Sequence, residues 1–321
     1  MSKLLTVFGA TGNQGGSVIQ TVLADPELSA EFRIRGVTRN ASKPAAKSLA
    51  DQGIEIMTAD MNSLSSVAAA VAGSHTVFLV TNFWETRSLE TEVSQGRNVA
   101  DAARDAGVAH LIFSSLLDVS ELTGGRLRNV PHFDAKAAVE RYIRSITEAS
   151  VAEEAEGKKG LGNCSFVLPG YFMSNLPDML KLRDDGVYTL AYPFGAKTKI
   201  PLIDPAEDMG KFVKAAIKHA PELKNKRILA AADYYTPERI LAEFEEVTGE
   251  KTAFMQVSPE QYHGYLPANV AQEMLETHLF IENPGYYAGE SLEESLQLLE
   301  EKPTTWKEFV ERLKASDAFQ G

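Results

Sequence analysis

Along residues 4–168, short β-rich apolar runs alternate with longer stretches of helical period, the pattern of a parallel sheet covered by helices on both faces. Strands are expected at 4–8, 32–38, 54–58, 76–80, 111–114 and 165–168, and helices at 14–23, 44–52, 64–71, 89–106 and 133–147. Gly107 supplies the stop for the fourth of these helices. The stretch from Glu153 to Gly160 is charged and glycine-bearing, and reads as an exposed loop ahead of the sixth strand. Beyond Pro169 the alternation loosens into a strand at 227–231, a helix at 237–247 stopped by Gly249, and a strand at 253–257. Helical patterns follow at 292–299 and 306–313, the second opened by the capping signal Pro303-Thr304-Thr305. The expected fold is therefore α/β: a doubly wound, Rossmann-type parallel sheet over 1–168 and a smaller mixed α/β lobe over 169–321, with room for some of its segments to return to the sheet. A ligand belongs in the crevice outside the carboxyl ends of the strands.

Composition narrows the function classes. With 321 residues, 44% apolar and 24% charged, the chain can bury one sizeable core and a satellite core. A net charge of -12, without runs of Lys or Arg, argues against a direct nucleic-acid or anionic-membrane surface. The apolar run at 4–8 is too short for a signal-peptide core and no later run reaches spanning length, so a cytosolic protein is expected, with entry to the nucleus left open. The single cysteine, Cys164, has no partner for an internal disulfide and reads as a small buried hydrophobe just before a strand. Neither the spacing of the six histidines nor any G-x-S-x-G elbow supports zinc or serine-hydrolase chemistry.

The chemistry begins where the first strand ends, in Gly9-Ala10-Thr11-Gly12-Asn13-Gln14-Gly15-Gly16, followed at once by a helix carrying Val18, Ile19, Val22 and Leu23. Glycines there let the backbone turn tightly and approach a pyrophosphate, whose charge sits on the unpaired amides of the helix N-terminus. The spacing is G-x-x-G-x-x-G, a weak signal alone that its strand-to-helix context strengthens. At the end of the second strand, where an NAD-selective site shows Asp or Glu, the chain has Val37-Thr38-Arg39-Asn40 with Lys43 close behind. A guanidinium grips a 2′-phosphate in bidentate fashion, so NADP(H) fits better than NAD; the competing reading makes Arg39 a solvated loop charge. After the third strand, Asp60-Met61-Asn62 is placed for the adenine side, or Asp60 or Asn62 only caps the helix that starts near Ser63.

With Gly9-Ala10-Thr11-Gly12-Asn13-Gln14-Gly15, Arg39, Val130-Pro131-His132-Phe133-Asp134-Ala135-Lys136 and Leu168-Pro169-Gly170-Tyr171-Phe172-Met173-Ser174-Asn175, the chain resembles the NmrA-like family of atypical short-chain dehydrogenases/reductases over most of its length. That family includes fungal regulators and NADPH-sensing relatives. The resemblance implies a pyrophosphate loop from Gly9 to Gln14 and a 2′-phosphate held by Arg39 with Asn40 and Lys43. It puts Asp60 and Met61 beside the adenine, Thr81, Asn82 and Phe83 along the nicotinamide ribose, and Lys136 reaching that ribose from the fifth helix. Tyr171 and Phe172, with the segment to Asn175, would close over the nicotinamide. A lysine of some relatives has no counterpart at Ser94-Gln95-Gly96.

A short-chain reductase places a tyrosine four residues before a lysine, the lysine lowering the phenol's pKa. Counting back from Lys136 gives His132, and Tyr142 lies nearly on the opposite face of the helix. His132 is a candidate proton donor or a polar residue at a helix start. Ser114, with Ser115, stands where such enzymes keep a carbonyl-polarising serine, or is an ordinary strand-end hydroxyl; Tyr171 is a second donor candidate or a packing aromatic. Two functions remain. One is a dinucleotide sensor that regulates a protein partner, which the missing tyrosine favours; the other is an NADPH-dependent oxidoreductase acting on a small organic, secondary-metabolite-type substrate. Segments 82–89 and 119–131 are the expected moving parts, as switches or as substrate lids. Trp306, Tyr286 and Tyr287 are contact candidates if exposed, and otherwise core.

Overall fold

A computed structural model describes residues 2–155 and 159–316. Six strands of the first half are β1 (Lys3–Phe8), β2 (Phe32–Thr38), β3 (Glu55–Thr58), β4 (Thr76–Leu79), β5 (His110–Ser114) and β6 (Asn163–Pro169). They join a seventh, Arg227–Ala230, in one fully parallel sheet of order Arg227–Ala230, β6, β5, β4, β1, β2, β3. The chain therefore winds outward from β1 in both directions, and the switch point falls between β1 and β4. The helices of this half are α1 (Asn13–Ala24), α2 (Pro26–Glu31), α3 (Pro44–Asp51), α4 (Leu64–Val71), α5 (Phe83–Thr86), α6 (Leu89–Ala106), α7 (Val119–Leu122) and α8 (Pro131–Ala155).

Successive strand side chains feed opposite cores. Val77 and Leu79 of β4 and Leu111 and Phe113 of β5 enter one apolar layer with Val99 of α6 and Val139 and Ile143 of α8. Phe78 and Ile112 enter the other, against Val18, Ile19 and Val22 of α1 and Phe212 and Val213 of the helix Met209–Lys218. The second half of the chain thus supplies both an edge strand and a covering helix to the large sheet. Its remaining strands form two small sheets. Ile200–Ile203 lies between Tyr171–Phe172 and Asp233–Tyr235, and Tyr188–Tyr192 lies between Thr252–Gln256 and Leu180–Leu182.

Local signals set several boundaries. Ser63 caps α4 and Ser88 caps α6, while Gly107 and Gly249 close α6 and the helix Pro237–Thr248 in left-handed conformation. The helix Trp306–Ala315 opens with a reciprocal capping box between Thr305 and Glu308. Other readings need correction. Helix α8 runs through Glu153 to Ala155 rather than ending near Thr147; Thr147 and Ser150 are accommodated in it with their hydroxyls donating back to the Ile143 and Ile146 carbonyls. Of the stretch read as an exposed loop, Gly160 is buried and 156–158 fall outside the described residues. Cys164 lies within β6, buried, and burial pushes its thiol up. Trp306, Tyr286 and Tyr287 are all buried: the indole N–H donates to the Ile240 carbonyl, and the two phenols donate to the carbonyls of Pro169 and Leu168. Satisfying the polar tip of an aromatic internally is what lets it enter a core. No helix among the described residues is long and apolar enough to cross a membrane.

Candidate functional site

The cleft at the carboxyl ends of β1, β2 and β4 has a volume of about 780 Å³ and continues from the glycine turn into the second half of the chain. Gly9 has φ +68, and a Cβ there would sit 2.7 Å from Val80 Cγ1. Gly15 passes so close beneath the turn that a Cβ would lie 2.3 Å from the Gly9 carbonyl oxygen. Gly12 is the N-cap of α1 in extended conformation and supplies no side-chain cap, so the amides of the first turn remain open to an outside acceptor. A cradle of this shape, with side chains excluded and an uncapped helix pointing into it, fits a pyrophosphate. Thr11, Asn13 and Gln14 complete that wall, while Ala10 is buried behind it, its N–H donating to Val37 O.

Arg39 also lines the cleft, 59% exposed by side chain, and forms an ion pair with Glu85 of α5. Asn40 and Lys43 do not line it. Asn40 accepts from the Ser42 amide and hydroxyl in an Asx turn, and Lys43 stands at the N-cap of α3. Met61 is in the wall, but Asp60 turns away to accept from the Asn62 amide and side chain, and Ser63 rather than Asp60 or Asn62 caps α4.

Further in, Thr81, Asn82, Phe83, Lys136 and His132 share the wall. Lys136 is almost wholly buried, and its ammonium donates to the Thr81 carbonyl (3.0 Å), the Thr81 hydroxyl (2.9 Å) and Glu92 Oε1 (2.8 Å). The Thr81 hydroxyl in turn donates to Glu92 Oε1 at 2.6 Å, while Glu92 Oε2, buried, has no partner among the described residues. Sequence reasoning missed Glu92, since nothing local marks one carboxylate of α6 as the mate of a lysine on α8. Ser114 lies outside the wall: its hydroxyl donates to Gln14 Oε1 at 2.7 Å and ties β5 to the glycine turn. Ser115 donates to the buried Glu140 carboxylate at 2.6 Å. The Tyr142 phenol donates to Asp101 of α6, and burial raises its pKa.

His132 sits one turn before Lys136, its Nδ1 2.5 Å from Oε1 of Glu273, on the helix Ala271–Phe280. Trp84 of α5, 44% exposed at the mouth, lies over the imidazole at 5.0 Å between ring centres. Segments 82–89 and 119–131 fold in part as α5 and α7. The stretch after α7 is tied to the second half of the chain, where the Asn129 amide and side chain donate to Glu276 and Arg126 donates to the Asn283 carbonyl.

Beyond the histidine the cleft opens into a chamber of apolar and aromatic side chains. Tyr171, Phe172 and Asn175 line it together with Met179, Tyr262, Leu266, Met274, His278 and Tyr286. Burial pushes the phenols of Tyr171, Tyr262 and Tyr286 above their ordinary range. His278, stacked on Tyr192 at 4.7 Å, is pushed down to about 4 by burial and stays neutral. Its Nδ1 lies 2.6 Å from the Met274 carbonyl and so carries the proton; its Nε2 is buried without a partner among the described residues. Leu266, Met274, His278 and their neighbours carry no motif and were not visible as site residues in the sequence.

The sequence profile of the NmrA-like family matches residues 1–310. The NmrA-like family domain-containing oxidoreductase ptmS of Penicillium ochrochloron is 30% identical over 275 residues, covering 80% of this chain and 76% of the relative. Among solved structures, the negative transcriptional regulator NmrA in complex with NADP superposes with a TM-score of 0.80 at 21% identity, covering 100% of this chain and 98% of that one. The triphenylmethane reductase of Citrobacter sp., complexed with NADP(H), gives 0.74 at 22% identity, covering 96% and 99%. At such identities the two structures speak for the fold.

Proposed function

This chain belongs to the NmrA-like family, and from that premise we propose that it binds NADP(H) across the glycine turn and acts as an oxidoreductase on a small, ring-bearing organic molecule. The observation that carries the reading is the chamber: the cleft that contains the glycine turn is also lined by His132 and by aromatic side chains of the second half of the chain, among them Tyr171, Tyr262 and Tyr286. When bound, the cofactor supplies a hydride. The turn from Gly9 to Gly15 holds the pyrophosphate, with Gln14 braced by Ser114. Arg39 exchanges Glu85 for the 2′-phosphate, and Lys136 exchanges one of its three internal bonds to reach the ribose. His132 holds a proton beside the chamber, and Tyr171 and Phe172 exclude water. Similarity to an oxidoreductase at 30% identity points the same way.

Sequence alone favours a redox sensor, because the reductase tyrosine is missing. One structural observation supports that second reading: the Arg39–Glu85 pair must open for a 2′-phosphate, and α5, which carries Glu85, also carries the Trp84 that lies over His132. A sensor requires unequal affinity for two forms of the ligand.

Calorimetry with NADP⁺, NADPH, NAD⁺ and NADH on wild type and Arg39→Ala tests the site. The phosphorylated forms should bind about 10- to 100-fold more tightly, and Arg39→Ala should erase the difference. Transfer of deuterium from C4-labelled NADPH to an aromatic aldehyde then separates enzyme from sensor. Absence of binding overturns the reading outright; binding without transfer, with NADP⁺ and NADPH of unequal affinity, turns it to the sensor.

A further inference from the structure

A tyrosine that serves as a proton donor starts near pKa 10 and needs a cation beside it to yield its proton. An imidazole has the opposite requirement: it is the stronger proton donor as the cation, and an anion beside it favours that form. The cleft is arranged in the second way. The Lys136 charge is spent inside the protein on Glu92 and Thr81, so it is not free to act on a phenol. Four residues earlier, in the slot of the missing tyrosine, His132 has a carboxylate on Nδ1 at 2.5 Å. Glu273 Oε1 also accepts from the His132 amide at 3.4 Å, so one oxygen fixes the ring and the start of α8 together. Phe83, Trp84 and Phe133 pack around the ring at 6.0, 5.0 and 4.9 Å between centres, which keeps water from weakening the pair. The ring nitrogen Nε2 has no protein partner among the described residues, and His132 lines the cleft.

We propose that Glu273 is a positioning residue that makes His132 the proton donor, an imidazolium–carboxylate pair standing where other reductases use tyrosine and lysine, and that the substrate is a neutral carbonyl or imine whose heteroatom must be protonated. The inference rests on the oxidoreductase reading above. Hydride from NADPH adds to the electrophilic carbon, the π pair moves to the oxygen or nitrogen, and the Nε2 proton closes that charge. Neutral imidazole remains, with Nδ1–H on Glu273, and recovers its proton from water. The acid is assembled from two distant parts of the chain, α8 and the helix Ala271–Phe280, so the donor exists only where they are joined.

Ionisable groups facing the ring are Glu273 and His278 from that helix, Lys136 with Glu92 from α8 and α6, and Glu85 beside the aromatic pair of α5. His278, held near 4, does not titrate in the assay range.

The test uses Glu273→Gln and His132→Phe, with two acceptors: naphthaldehyde, which needs a proton, and the preformed N-methyl dihydroisoquinolinium cation, which accepts hydride without one. Both variants should reduce the aldehyde more slowly, His132→Phe by about a hundredfold, while reduction of the cation stays within a few-fold of wild type. In the cofactor-free protein, nitrogen–proton NMR should show a strongly downfield His132 Nδ1 proton in wild type that Glu273→Gln shifts back upfield. Equal slowing with both acceptors, or an Nδ1 proton signal unchanged in Glu273→Gln, overturns the proposal and leaves Glu273 a structural brace. If wild type binds NADPH yet reduces neither acceptor, the oxidoreductase reading fails and this proposal falls with it.

Discussion

At the nucleotide end, one continuous stretch of chain from β1 through the glycine turn into α1 makes the phosphate cradle, and its geometry depends on backbone passing within van der Waals reach of backbone. At the chamber end the wall is gathered from segments as distant as Tyr171, Tyr262 and Tyr286, and depends on buried side chains satisfying one another. Binding a constant group such as a pyrophosphate suits the first construction. A variable substrate suits the second, since any one wall residue can change without unmaking the turn.

The contrast breaks most visibly at Gly15. A Cβ 2.3 Å from the Gly9 carbonyl oxygen cannot be absorbed by a side-chain rotation, because the obstacle is backbone. Gly15→Ala should cost roughly a thousandfold in NADPH affinity by calorimetry, about 4 kcal/mol. Affinity near wild type would show that the turn is not what holds the dinucleotide.

An intermediate effect belongs to the chamber. Burial holds His278 neutral with a folded pKa of about 4, below the 6.5 of an unfolded histidine. Its contribution to stability is therefore full above pH 6.5 and is lost as pH falls towards 4, up to ~3 kcal/mol. Urea unfolding over that range should show a slope that His278→Phe reduces; an unchanged slope would place the acid sensitivity elsewhere, His110 being the other buried histidine held near 4. The smallest effect is at the seam between the two ends, where Tyr286→Phe removes a 3.0 Å bond to the Pro169 carbonyl and should lower stability by about 1 kcal/mol. No loss would mean that packing alone joins them.

The same contrast explains what could be read from the chain. Strand period, the glycine turn, the Thr305 cap and the Gly107 and Gly249 stops are interactions within a few residues, and the structure has each of them where the pattern puts it. The family resemblance holds over nearly the whole chain. What stayed hidden is pairwise and distant: Glu92 with Lys136 across 44 residues, Glu273 with His132 across 141, Glu85 with Arg39. A helical period marks the side of a helix that is buried but not which carboxylate will meet which cation. Even Asp60 was ambiguous for this reason, since a helix cap and an adenine contact use the same residue type, and the structure shows it in an Asx turn instead.

The two tryptophans, finally, sit in opposite surroundings. Trp306 is sealed in the core with its N–H on the Ile240 carbonyl, whereas Trp84 stands half in solvent at the mouth of the cleft, over His132. Their fluorescence should separate into a blue, unquenchable band and a redder one open to acrylamide. A reduced nicotinamide arriving beside Trp84 would drain the second band by energy transfer. The protein thus carries its own optical gauge of cofactor arrival, readable in a stopped-flow cell without a label.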